Sequence, residues 1–127
     1  MAKAPPDATA AELAILEQLW QHGASSIKTL AQSLYGAATP SDIATVQKLL
    51  SRLEKKGFVQ RNRGEWPHLF DAVVAREDLI AQRLQATADE LCEGTMAKLL
   101  THLVGSTKLT AAQRRRLRNM LDQMDAE

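Results

Sequence analysis

The stretch from Thr39 to Phe70 reads TPSDIATVQKLLSRLEKKGFVQRNRGEWPHLF. Its apolar period changes from helical to extended at one glycine, and few folds accommodate such a switch. Thr39-Pro40 opens a helix with a cap followed by proline at the first helical position. Ile43, Val46, Leu50 and Leu53 form its apolar face, with Leu49 alongside, and Gly57 ends it. The other face carries Thr45, Gln47, Lys48, Ser51, Arg52 and Lys55. Beyond Gly57, Phe58–Arg61 and Leu69–Val73 have the composition of two short strands. Arg63–Pro67 is the turn between them, and Pro67 belongs at a loop or sheet edge.

Two helices are expected upstream. Thr9 and Glu12 form a capping box ahead of a helix that places Leu13, Leu16, Leu19 and Trp20 inward. Gly23 is its expected left-handed C-cap. Ser25 or Ser26 caps a second helix with Ile27, Leu30, Ala31 and Leu34 inward. Three helices followed by a hairpin make a helix-turn-helix with a wing. The expected fold class is mainly α with a small β-hairpin, a winged helix-turn-helix domain followed by C-terminal helices.

Charge is concentrated where that fold presents its polar face. Between Ser41 and Arg63, six basic residues (Lys48, Arg52, Lys55, Lys56, Arg61, Arg63) stand against Asp42 and Glu54, an excess of four, whereas the whole chain carries only +1. Cations suit phosphates and polar side chains suit base edges, so a DNA-reading surface is the expectation, with Ser41 at the start of the set. Gln47 is the best base-reading candidate, because its amide pairs bidentately with adenine. Lys55 and Lys56 sit at the helix C-terminus, where the dipole favours cations. A solvated helix face, or a winged helix that binds protein and no operator, is the alternative. Trp20 is expected in the core, and Trp66 and Pro67 are expected to pack on their own hairpin, with insertion of Trp66 towards a groove as the alternative.

At 127 residues, with 45% hydrophobic and 24% charged residues, the chain suits one moderate core plus a helical extension. Cys92 is the only cysteine, which excludes an intramolecular disulfide and a multi-thiolate metal site and fits a cytoplasmic compartment. His22, His68 and His102 lack a second ligand at helical spacing, so no metal is expected. No nucleophile–base pair, P-loop or dinucleotide turn is present, so neither enzyme activity nor a cofactor is expected. No apolar run is long enough to span a bilayer. Residues 1–8 are assigned to a flexible tail.

From Ala75 onward the pattern is helical, giving expected domains of 9–74 (winged helix) and 75–127 (helical dimerisation region). Leu84 and Leu91 belong to one amphipathic segment and Met96, Leu99, Leu100 and Leu103 to the next. Leu117, Met120, Leu121 and Met124 follow a second capping box at Thr110 and Gln113. These stripes need cover, and a second copy of the chain supplies it together with the two-fold symmetry of a palindromic site. Arg114, Arg115, Arg116 and Arg118 form a basic cluster, expected as a solvated face pairing with Asp122 and its neighbours.

From Thr9 to Met124 the chain resembles the penicillinase-repressor family of winged-helix regulators (the BlaI/MecI/CopY type). The matching parts are AELAILEQLW, GASSIKTLAQSL, TVQKLLSRLEKKGFVQR, GTMAKLLTHLV and LTAAQRRRLRNML. The resemblance implies a homodimeric transcriptional repressor with an N-terminal operator-binding winged helix and C-terminal dimerisation helices. By position, Thr45 and Gln47 fall where the family reads base edges, Lys48, Ser51 and Arg52 where it meets the adjacent groove and backbone, and Arg61 and Arg63 on the wing. The copper-responsive branch holds metal with paired C-terminal cysteines, which Cys92 alone cannot do. The β-lactam-responsive branch implies a membrane sensor protease as partner, with cleavage between an asparagine and a phenylalanine. The matching pair here is His102-Leu103.

Overall fold

The computed structural model describes residues 7–125, the last of them by its backbone only. Residues 1–6 of the expected tail lie outside the described residues. The elements run α1 (Ala10–His22), α2 (Ile27–Tyr35), α3 (Pro40–Lys55), β1 (Val59–Asn62), β2 (Leu69–Ala72), α4 (Arg76–Leu91), α5 (Met96–Ser106) and α6 (Ala111–Asp125). The chain is mainly helical with one antiparallel hairpin, as expected for a winged helix followed by C-terminal helices. It divides into two compact units, Met1–Arg83 and Leu84–Glu127.

Caps set the helix boundaries of the first unit. The Thr9 hydroxyl accepts from the Glu12 amide at 3.2 Å, and the Glu12 carboxylate accepts from the Thr9 amide at 3.0 Å. The Ser26 hydroxyl accepts from the Thr29 amide, so Ser26 rather than Ser25 is the cap of α2. Thr39 accepts from the Asp42 amide ahead of Pro40. Gly57, with φ 77°, takes the left-handed backbone that turns the chain from α3 into β1. Gly23 departs from expectation. Its φ of 82° is positive, but its ψ of −165° is extended, so it turns α1 sharply toward Ser25 rather than making a left-handed cap.

The register of the hairpin pairs Val59 with Ala72 and Arg61 with Phe70. Strand β1 begins one residue later than the composition predicts, because Phe58 carries the bends that close α3. Its amide donates to the Leu53 carbonyl and its carbonyl accepts from Val73. Ser25 adds a third short rung, exchanging both backbone hydrogen bonds with Phe70 at 2.9 and 2.8 Å. The turn before α2 is thereby tied to the wing.

Ile15, Leu16, Leu19, Leu30, Ala31, Val46, Leu50, Leu53 and Phe70 are fully or nearly fully buried around the three-helix crossing. On α1 the buried set is Glu12, Ile15, Leu16 and Leu19. The face is therefore rotated from the expected one: Ile15 is in and Leu13 is only half-buried. Trp20 is also half-buried. Its indole N–H donates to the Val74 carbonyl at 2.9 Å, and the Arg76 guanidinium lies 4.7 Å over its ring. Arg76 in turn binds both carboxylate oxygens of Glu17.

Glu12 is an acid with no exposed side-chain surface. Burial raises its pKa, but hydrogen bonds from the Lys56 ammonium, the Thr9 amide and the Thr9 hydroxyl outweigh that and hold it below the ordinary carboxylate range. Lys56 reaches Glu12 at 2.7 Å and also donates to the Asp7 carbonyl at 2.6 Å. The Asp7 carboxylate accepts from Arg83 at 2.9 Å, and Ala8 is buried. The segment just before α1 is thus fastened to the end of α3 and to α4.

The second unit has little interior of its own. Ala88 and Cys92 are buried in it, whereas α5 and α6 contain no buried residue among those described. The Thr110 capping box forms as expected. Helix α5 runs through Gly105 to Ser106 rather than stopping at the glycine, and the His102-Leu103 pair falls inside it. No helix among the described residues is long and apolar enough to cross a membrane.

Candidate nucleic-acid interface

The sixteen residues of α3 divide cleanly around the helix axis. Val46, Leu49, Leu50 and Leu53 are buried, and Ile43 is half-buried at the rim. Ser41, Thr45, Lys48, Arg52 and Lys55 follow one another at alternating spacings of four and three, so they make one ridge opposite the core. All five are exposed. The Thr45 hydroxyl donates back to the Ser41 carbonyl at 3.0 Å, which fixes the side chain with its methyl and lone pairs outward.

Gln47 and Ser51 lie on a different strip. One turn apart, they border a groove of about 500 Å³ between α3 and the hairpin. Ile27, Ile43 and Phe70 are among its apolar lining, and Trp66, Pro67 and His68 line it from the wing. Both Gln47 and Ser51 are exposed, so the amide of Gln47 is free to meet a partner at the groove edge. The expected site residues on α3 therefore form two adjoining strips, an outward ridge and a groove margin.

The basic excess divides as well. Lys48, Arg52, Lys55 and Arg63 are exposed and form no ion pair among the described residues. Lys56 is committed to Glu12. Arg61 is committed to the hairpin: it binds Glu54 at 3.1 Å, and its guanidinium lies 4.8 Å over the Phe70 ring. Two of the six cations thus hold α3 to its surroundings, and four face solvent. Charge counting along the sequence does not separate these groups, because the partners of Lys56 lie on α1 and in the segment before it.

Trp66 was expected to pack on its own hairpin, and it does not. Its ring is 84% exposed, with His68 edge-on at 4.9 Å as its aromatic neighbour. The buried aromatic of the hairpin is Phe70, on β2.

The residues proposed to cover a second copy are also placed. Leu84, Leu91, Leu100, Leu103, Leu117, Met120, Leu121 and Met124 are exposed, and Met96 and Leu99 are half-buried. Val104 is exposed beside them. In α6, Arg118 and Asp122 form no ion pair among the described residues despite their helical spacing, and Arg114, Arg115, Arg116 and Arg118 are exposed; the side chains of Asp125 and Glu127 lie outside the described residues.

No curated protein sequence matches the chain. A family model does, over residues 8–123, which takes in most of both units, every residue of the ridge and the groove margin, and the C-terminal stripes up to Leu121: the chain belongs to the penicillinase repressor family, a family of transcriptional repressors.

Proposed function

We propose that the protein represses transcription by occupying a palindromic operator as a homodimer, with α3 of each copy in a major groove. The observation that carries this reading is the ridge of α3. It is polar and basic, fully presented to solvent, and uncovered by any other part of the described chain. Base edges are met by Thr45 and Gln47, and phosphates by Lys48, Arg52, Lys55 and Arg63, with Ser41 and Ser51 at the margins. The apolar stripes of α5 and α6 support the second half of the reading. Side chains of this size in contact with water each forgo about 1.5–3 kcal/mol of burial, and a second copy covers them with the symmetry that a palindrome demands.

The test is a gel shift with the DNA that precedes the protein's own gene. Binding that falls steeply with salt is expected. A folded dimer that binds no duplex even at low salt would leave the wing as a protein-binding module.

Two substitutions separate readout from charge. Gln47→Ala should weaken binding to the operator by about 1–3 kcal/mol and relax preference at one or two base pairs, leaving mixed-sequence DNA unaffected. Arg52→Ala should weaken both duplexes alike and lower the salt slope by about one per copy. Equal behaviour of the two variants on operator and mixed sequence would remove Gln47 from base readout.

A further inference from the structure

We infer that Trp66 is a duplex anchor: its indole packs against the deoxyribose wall of the minor groove flanking the major groove that α3 occupies. This inference rests on the repressor reading and adds to it an apolar, uncharged contact made by the wing.

Three observations point to this occupant. First, among the large hydrophobic side chains exposed in the described chain, Trp66 is the most exposed, at 84%. A tryptophan carries a large apolar surface and is costly to leave in water unless something covers it. Second, the ring has a neighbour on the wing. His68 stands edge-on to it at 4.9 Å and 74°, so a partner meets the two rings together. Third, it is continuous with the proposed interface. Trp66 borders the same groove as Gln47 and Ser51, so a partner seated on α3 reaches the wing tip on that side.

Duplex DNA fits this arrangement better than a protein does. The unpaired, exposed cations of α3 and the turn are Lys48, Arg52, Lys55 and Arg63, which complement phosphates. Glu65 is the exception. Phosphate would repel it, so at that step of the turn the contact is made by the ring and not by charge. Minor-groove walls present sugar edges without charge, and proteins that bind this groove bring apolar side chains into it. Such a contact carries no base code. It adds affinity to any sequence and releases no counterion.

The experiment uses the full chain, Trp66→Ala and Trp66→Phe, with two probes: the DNA preceding the protein's own gene and a mixed-sequence duplex. Because the indole is exposed, both variants should keep the wild-type far-UV circular dichroism. Trp66→Ala should bind both duplexes on the order of tenfold more weakly per wing, with the salt slope unchanged. Trp66→Phe should keep most of the affinity. Duplex should quench and blue-shift the wild-type tryptophan emission, but not that of Trp66→Phe, in which only Trp20 remains. Wild-type affinity in Trp66→Ala, a flattened salt slope, or an emission change that survives in Trp66→Phe would each overturn the inference while leaving the repressor reading standing. Failure of the wild-type protein to bind either duplex would overturn both.

Discussion

Aspartate in place of Leu117 is expected to split the proposed dimer into monomers and to lower operator affinity on the order of a hundredfold or more, because linked half-sites lose their effective concentration. Leu117 is 44% exposed in the isolated chain, and Leu121 and Leu100 are 52% and 45% exposed. A two-fold axis makes each substitution occur twice in one interface. Two carboxylates would then have to leave water for an apolar surface, at several kcal/mol each unless paired. Leu100→Asp and Leu121→Asp should act in the same direction. The winged helix should be spared, since all three residues lie in the second unit and none belongs to the core around Phe70 and Leu50. Sedimentation velocity with circular dichroism reads both effects. Unaltered dimers for all three variants would mean that another surface holds the copies together.

Some of this architecture was legible because its causes are local. Thr39-Pro40 and Gly57 bound α3 through a cap, a fixed φ and a left-handed turn, and each needs only its immediate neighbours. The polar ridge was legible for a similar reason, since a helix converts spacing directly into a face. The face of α1 was not. Ala, Leu and Ile occupy nearly every side of it, so periodicity does not distinguish Leu13 from Ile15, and only the position of α3 decides. Lys56 was counted in the basic excess, and Arg61 was read as a wing contact, because a count of charges registers sign but not partner. Glu12 lies 44 positions from Lys56, and Phe70 opposes Arg61 only through the hairpin register. Trp66 was misplaced because an aromatic residue in a short turn is equally compatible with a filled hairpin face and an empty one. In three dimensions Phe70 is the buried aromatic of the hairpin.

Lys56→Met is expected to destabilise the protein by about 3 kcal/mol at neutral pH, near the lower end for a broken buried pair because the lysine side chain is itself about a quarter exposed. For a domain of ordinary stability that is a large fraction of the total. The cause is Glu12, which stays buried after its partner is gone. In the wild-type protein the folded pKa of Glu12 lies below its unfolded value, so its contribution is present above about pH 4.3 and is lost as pH falls through the lower, folded pKa. Removing Lys56 leaves burial as the dominant influence and turns the shift upward. The folded variant then binds a proton before the unfolded chain does, so its stability should rise as pH is lowered from 7 toward 5, where the wild type should hardly change. Urea unfolding at pH 7, 6 and 5 reads the difference. The double variant Glu12→Leu, Lys56→Met should recover most of the loss, because an apolar pair of similar size has no charge to strand. A single variant with wild-type stability, or with the wild-type pH trend, would show that the carboxylate is held by the Thr9 amide and hydroxyl alone, and that Lys56 is free to serve the interface after all.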